Sequence, residues 1–346
     1  MPVVRLRGVL GALAIGVSAG QALAQQEPYY AGKTVTLVVG ASPGGYYDIA
    51  GRTISRHLGK YIPGHPNVIV QNLPGASGLA SVNKLGTTAE RDGRSILVMS
   101  RALPQLALAG DPNANFDPLA FTWLGSLSSY RDDAYLMTIN ADHPAKSIAD
   151  LGPKAKTLHL GGTSGGSTNI IFALMARDML KLNVGITKGY PGAAQIWIAM
   201  ERGEVDGQFV DISAIMVGRP TLWKEGKLRP LMGFGRTERH PDFPNMPIAR
   251  ELVTNPADLA LLEFAELPFF MALPLVAAPG IPEDRARTLR EAFMAMALDT
   301  TFRADMLKAG IMTSPIDGAA VHGLIARAAK APDDVRARFR KLLADK

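Results

Sequence analysis

The sequence predicts an α/β fold of two lobes facing each other across a ligand cleft. Two observations carry this. An apolar, β-branched segment runs into a glycine-rich loop and then a helical segment near residue 40, and the same order recurs near residue 161. Around these loops, short apolar runs alternate with helix-period segments, the pattern of parallel strands covered by helices. A length of 346 residues suits about two domains at roughly 100–200 residues each. The apolar share of 47 % and charged share of 20 % are those of a folded chain.

Arg5 and Arg7 precede an apolar stretch over residues 9–17. Ala22-Leu-Ala24 then supplies the small-x-small pattern that signal peptidase accepts. Residues 1–24 are therefore expected to be a secretory signal peptide, cut after Ala24, which places the protein in the periplasm. The stretch has about half the ~20 residues that span a bilayer. A second apolar run over 269–278 is also short, and prolines interrupt it.

The elements follow in order. Val35-Thr-Leu-Val-Val-Gly40 reads as a buried strand, and Ala41-Ser-Pro-Gly-Gly-Tyr-Tyr47 as a loop. Asp48 suits the N-cap of a helix reaching residue 58. Val68-Ile-Val-Gln71 is a second strand, followed by a Pro74-Gly75 turn and a helix over 79–85. Ile96-Leu-Val-Met-Ser100 is a third strand. In the second half, strands are expected over 134–139 and 157–160, then the loop 161–168 and a helix over 169–180. A strand at Ile186, a helix over 193–201, a strand over 205–210 and one helix over 212–224 come next. Leu228-Arg-Pro-Leu-Met232 carries a proline and suits an edge or crossing strand. Residues 269–276 read as a further strand, and the C-terminus as helices over 282–298, 302–308, 319–329 and 333–343. Pro282 suits a first helical position and Asp333 an early turn.

Composition removes several function classes. With no cysteine, there is no disulfide scaffold, thiol catalysis or thiolate metal site. The six histidines show no ligand spacing, so no metal and no cofactor are expected. The formal charge of +6 is modest, two of its charges lie in the leader, and Lys and Arg are scattered. Nucleic acid is therefore not an expected partner.

The two glycine loops are the candidate site. Gly44 and Gly45 allow close backbone approach, and a helix N-terminus offers free N–H groups and about half a positive charge to an anion. Gly165 and Gly166 repeat this logic beside the hydroxyls of Thr163, Ser164, Ser167 and Thr168. Neither loop spells a dinucleotide or P-loop motif. Arg101 follows the third strand at the same end as the loops and is a candidate carboxylate partner. Gly162-Thr-Ser-Gly-Gly166 matches the nucleophile elbow of hydrolases, with Ser164 as nucleophile and Asp206 or Asp211 and His240 following in hydrolase order. A secreted serine hydrolase is therefore the alternative reading. Asp132-Asp133 is expected to be a solvated turn, because adjacent extended residues point to opposite faces.

These segments, in this order, resemble the solute receptors of tripartite tricarboxylate transporters, the TctC or Bug family. The resemblance rests on Lys33 through the Pro-Gly-Gly-Tyr-Tyr-Asp48 loop, Asn72-Leu-Pro-Gly-Ala-Ser-Gly78, and Asp92-Gly-Arg-Ser-Ile-Leu-Val-Met99. It continues through the 161–168 loop, Tyr190-Pro-Gly-Ala-Ala, Gly203-Glu-Val-Asp206, the Pro241 to Pro247 stretch and Ala278-Pro-Gly-Ile-Pro282. It implies a type II periplasmic-binding-protein fold with two Rossmann-like lobes, residues 25–128 with 241–346 and residues 129–240. It also implies a non-enzymatic receptor, monomeric by default, that captures a small carboxylate and delivers it to a membrane permease. The ligand site would comprise Ser42, Gly44, Gly45, Tyr46, Tyr47, Asp48, Ser100, Arg101, Thr163, Ser164, Gly165, Gly166, Ser167, Thr168, Tyr190 and Asp211. Small residues are common in the family where this chain has Tyr46-Tyr47, so two rings beside the anion loop would narrow the cleft, stack on an aromatic acid or donate phenol hydrogen bonds.

Overall fold

Strand pairing divides the chain into two sheets. The computed structural model describes residues 1–2, 27–163 and 167–344, so the leader and residues 164–166 lie outside the described residues. The strands are β1 (Thr34–Val39), β2 (Asn67–Asn72), β3 (Ser95–Val98), β4 (Thr122–Ser126), β5 (Tyr135–Asn140), β6 (Leu158–Gly161), β7 (Val184–Thr187), β8 (Gly207–Asp211), β9 (Leu228–Phe234), β10 (Pro274–Ala277) and β11 (Ile316–Asp317). The helices are α1 (Tyr46–Leu58), α2 (Leu79–Thr87), α3 (Leu103–Leu108), α4 (Thr168–Asp178), α5 (Ala193–Glu201), α6 (Ile212–Gly218), α7 (Pro220–Lys224), α8 (Ala249–Leu252), α9 (Pro256–Glu266), α10 (Glu283–Leu298), α11 (Thr300–Lys308), α12 (Gly318–Ala329) and α13 (Asp333–Ala344). No helix among the described residues is long and apolar enough to cross a membrane.

The first sheet has the order β11-β4-β10-β3-β1-β2 and the second β7-β6-β8-β5-β9. Each contains a parallel core, β2-β1-β3 and β7-β6-β8. The two-lobed α/β expectation holds, but the sheets are mixed rather than parallel. β10 returns from the C-terminal part of the chain and inserts antiparallel between β3 and β4, while β5 runs antiparallel to β8 and β9. Pairings this distant leave no local sequence pattern. β9 is an edge strand, and the register slips beside Pro230, where the missing N–H would break a ladder.

Several boundaries differ from expectation for local reasons. The helix after the first loop starts at Tyr46, with Gly45 at the N-cap, so Asp48 is its third residue and not its cap. The helix expected over 212–224 breaks at Arg219, because Pro220 opens a new one. Pro282 is the N-cap of α10, one position before the first turn. Residues 269–271, expected to begin a strand, fall in a 3-10 turn, Leu267–Met271, led by Pro268. A continuous apolar run does not by itself distinguish the two.

That 3-10 turn joins the two halves of the core. The Phe269 ring lies 5.0 Å from Phe172 on α4 and 4.8 Å from Tyr135 on β5, and Phe172 lies 4.5 Å from Phe234 on β9. The C-terminal helix α13 packs on both α9 and α4. Arg236, just beyond β9, donates to the carbonyls of Tyr130, Arg131 and Asp133 and so fixes the chain entering β5.

β4 carries a bulge opposite β10, and Gly125 sits in it with φ +152°. A Cβ there would collide with the Phe293 ring and approach the Ile316 carbonyl oxygen to 2.6 Å. Gly125→Ala is therefore expected to destabilise the protein by about 3 kcal/mol in urea unfolding. A loss within about 0.5 kcal/mol would contradict this packing.

Candidate functional site

The carboxyl ends of both parallel cores open into one cavity of about 500 Å³. Its walls are residues 40–43 and 45–47 beyond β1, 74–77 beyond β2, Ser100 and Arg101 beyond β3, Thr163 and 167–169 beyond β6, 190–195 beyond β7, and Asp211 ending β8. This is where open α/β sheets bind ligands, because the loops there diverge and helix N-termini point in. Val98, Tyr135, Phe209, Val210 and Ala214 also line it.

Four helices begin at this cavity: α1 after Gly45, α4 after Ser167, α5 after Gly192 and α6 after Asp211. In none of them does the N-cap side chain bond a backbone N–H. Elsewhere α9, α11 and α12 are capped by Asn255, Asp299 and Asp317. The first N–H groups of a helix have no intrahelical acceptor; those of α6 are taken by the Ala134 carbonyl and the Asp133 carboxylate, whereas the starts of α1, α4 and α5 leave donors and a partial positive charge for an anion.

The first loop is held from behind. Asp48 is 1 % exposed and faces away from the cavity. Its Oδ2 accepts the Gly44 N–H at 2.8 Å and Arg52 Nε at 3.0 Å, and its Oδ1 accepts Asn72 Nδ2 at 2.8 Å. Asn72 also donates to the Ala41 carbonyl. An acid at the third helical position thus fixes the loop on which Gly45 and Tyr46 sit. Burial works to raise its pKa, but the hydrogen bonds from Arg52, Gly44 and Asn72 outweigh it and hold the carboxyl below its ordinary range.

The loop after β2 is strained. Gly75, Ala76, Ser77 and Gly78 all have positive φ, between 46° and 143°. Two consecutive non-glycine residues in this region are uncommon, and such strain concentrates at functional sites. In the second half, Asn169 Oδ1 gathers the Thr163 N–H, the Thr163 hydroxyl and the Ser167 hydroxyl, at 3.3, 3.2 and 2.5 Å. This turns Ser167 away from capping its own helix.

The floor is an ion pair between the halves. Arg101 Nη1 and Nη2 donate to Asp211 Oδ1 and Oδ2 at 2.7 and 3.2 Å, and Nη1 also reaches the Tyr130 hydroxyl at 3.1 Å. The rings of Phe269, Tyr135 and Tyr130 lie 4.5, 4.9 and 5.3 Å from the guanidinium carbon. Arg101 is 3 % exposed and Asp211 6 %. Above them, the Tyr46 and Tyr47 rings meet edge to face at 5.5 Å. The Tyr46 hydroxyl is enclosed and without a partner. Burial, followed by the charges of Asp211 and Asp133, pushes its pKa well up, so it stays a donor. The Tyr47 hydroxyl engages the Ser100 side chain and the Arg101 backbone.

Of the residues expected at the site, Ser42, Gly45, Tyr46, Tyr47, Ser100, Arg101, Thr163, Ser167, Thr168, Tyr190 and Asp211 line the cavity. Gly44 is in the same loop but not in the lining, and Asp48 lies behind it. Ser164, Gly165 and Gly166 fall outside the described residues. Sequence reasoning missed Pro74–Ser77, Pro191–Gln195, Tyr135, Asn169 and Phe209. The signal for α5 was present in Gly192, a glycine at a helix start where a capping side chain is usual.

Two expectations are corrected. Asp133 is not in a solvated turn: it is 1 % exposed and accepts the Ala134 N–H, with the Ser213 N–H at 3.4 Å. The hydrolase alternative finds no support. Asp211 is held by Arg101, Asp206 accepts the His159 N–H, and His240 is not among the lining residues. Among the described residues no cluster of His, Asp and Glu is placed to hold a metal.

No family model matches the chain. It is 28 % identical over 243 residues to the UPF0065 protein in the gbd 5′ region of Cupriavidus necator, covering 69 % of this chain and 70 % of that protein. Among solved structures, the periplasmic binding protein BugD superposes with a TM-score of 0.68 at 18 % identity, covering 90 % of this chain and 98 % of BugD. MatC from Rhodopseudomonas palustris with bound malate gives 0.65 at 20 % identity, covering 90 % and 99 %.

The Asp48 bonds yield a test. A carboxyl with a depressed folded-state pKa contributes stability above its unfolded pKa of about 4, and loses it as pH falls through the folded value. Asp48→Asn is expected to cost about 1–3 kcal/mol at pH 7, with the gap to wild type shrinking below pH 4. A gap that does not change with pH would show that the carboxylate charge is not what holds the loop.

The chain thus has the two-lobed fold of the TctC and Bug solute-binding proteins, and its sequence is related to the UPF0065 proteins.

Proposed function

We propose that the protein is a periplasmic receptor that captures a small organic acid between its lobes and hands it to a tripartite tricarboxylate-type permease. The observation that carries this is the convergence of three uncapped helix N-termini, those of α1, α4 and α5, on one cavity whose single described lining cation is already paired. Such a site attracts an anion through backbone N–H groups and helix dipoles rather than through a free side-chain charge. In this reading the N–H groups at the starts of α1, α4 and α5 and the hydroxyls of Ser42 and Thr168 hold the carboxylate. Charge-assisted hydrogen bonds of about 1.5–3 kcal/mol each make four enough for micromolar affinity, about −8 kcal/mol. MatC, which shares the fold, has malate bound, which supports a carboxylate ligand here.

The lobes are read as residues 25–128 with 241–346 and residues 129–240, and closure as driven by contacts a ligand makes with both. The leader would direct export and be removed after Ala24. The same reading makes the protein a binder and not an enzyme, acting as a monomer.

Residues 25–346 are expected to melt at a higher temperature with at least one member of a panel of aliphatic and aromatic carboxylates, because a ligand that binds only the folded state stabilises it by mass action. Ala193→Pro removes one N–H from the start of α5. Proline suits a first helical position, and the preceding Gly192 is extended, so the fold should be kept. The variant is expected to melt like wild type without ligand and to bind the same acid about tenfold more weakly by calorimetry. Unchanged affinity would remove α5 from the site, and no shift with any carboxylate would overturn the reading.

A further inference from the structure

We infer that Asp211 sets the charge class of the ligand: by occupying the one cation that faces the cavity, it selects acids with a single carboxylate over those with two. The inference rests on the carboxylate reading above and deepens it. Among the described lining residues, Arg101 is the only basic side chain and Asp211 the only acidic one. Their contact is bidentate and both terminal nitrogens of Arg101 are engaged, one of them also by Tyr130. Rings of Tyr130, Tyr135 and Phe269 crowd the guanidinium. Side-chain exposure is 4 % for Arg101 and 9 % for Asp211, so water does little to weaken the pair.

A ligand carboxylate that reached the floor would have to displace Asp211 and leave it buried and unpaired, which is strongly unfavourable. If it did not displace Asp211, it would face a like charge. Tyr135 and Phe209 offer the floor apolar surface. The cavity is therefore polarised: uncapped helix ends suit one anionic group, and the floor suits a neutral, ring-compatible remainder. Asp211 is the residue that makes this difference, because removing its charge would free a guanidinium at the far end of the cavity.

The test uses matched pairs of acids that differ by one carboxylate: butyrate and succinate, hexanoate and adipate, benzoate and terephthalate. Calorimetry with the wild-type protein is expected to show each bound monoacid at least tenfold tighter than its diacid. Asp211→Asn keeps a residue suited to the helix N-cap and is expected to gain at least tenfold for a diacid and to reverse the order. The double variant Arg101→Met with Asp211→Leu removes the pair entirely and is expected to keep the preference for monoacids. Far-ultraviolet circular dichroism and melting curves establish that each variant is folded. The wild-type comparison stands even if neither variant folds. A wild-type protein that binds the diacid of a pair as tightly as the monoacid, or more tightly, overturns the inference and leaves the carboxylate reading intact. A wild-type protein that binds none of the six acids overturns both.

Discussion

A guanidinium held by one carboxylate and flanked by three rings joins the two sheets at the floor of the cleft. Arg101 leaves β3 in the first sheet, and Asp211 ends β8 in the second. Their bond links strand ends that open on the cavity, and the rings around it extend into the shared core through Phe269 and Phe172. A buried ion pair of this kind adds little net stability, since desolvation offsets much of the attraction. What it does supply is specificity of geometry. It fixes how the two strand ends face each other, and it leaves the cavity without free side-chain charge.

The remainder of the site follows from that neutrality. An anion in this cavity finds backbone amides, hydroxyls and helix dipoles rather than a lysine or arginine. The chain prepares for this by leaving bare the helix starts around the cavity while capping several others with Asn or Asp. Asp48 shows the same division of labour. Its carboxylate stabilises the first loop from outside, on the side away from the cavity, and so organises the anion-facing amides without repelling an anion.

Much of this was legible in the sequence, and the failures have physical causes. Strand-loop-helix units with strong local signals, such as Val35 to Leu58 and Thr157 to Asp178, were read at nearly their observed bounds. Asp48 was assigned to the right loop, but as a cap, because a sequence cannot show whether an acid sits before a helix or reaches back from its third residue. β4 and β10 depend on partners far along the chain, and α9 was overlooked although Asn255 and Pro256 mark its start. The first loop of the site was visible because glycines and hydroxyls cluster there. The contribution of α5 was not, since Gly192 and two alanines carry no chemistry except the backbone they leave bare. The pairing of Arg101 with Asp211 was beyond reach, for it depends on how the two sheets meet.

In the proposed receptor, backbone amides at helix starts, not a charged side chain, hold the anion. The most direct test is an amide-resolved NMR titration of residues 25–346 with the tightest-binding carboxylate. The largest amide proton shifts are expected at Tyr46, Tyr47, Thr168, Asn169, Ala193 and Ala194, all moving downfield as hydrogen bonds to an anion form. Shifts confined to Arg101 and its neighbours, with the helix-start amides unmoved, would contradict it.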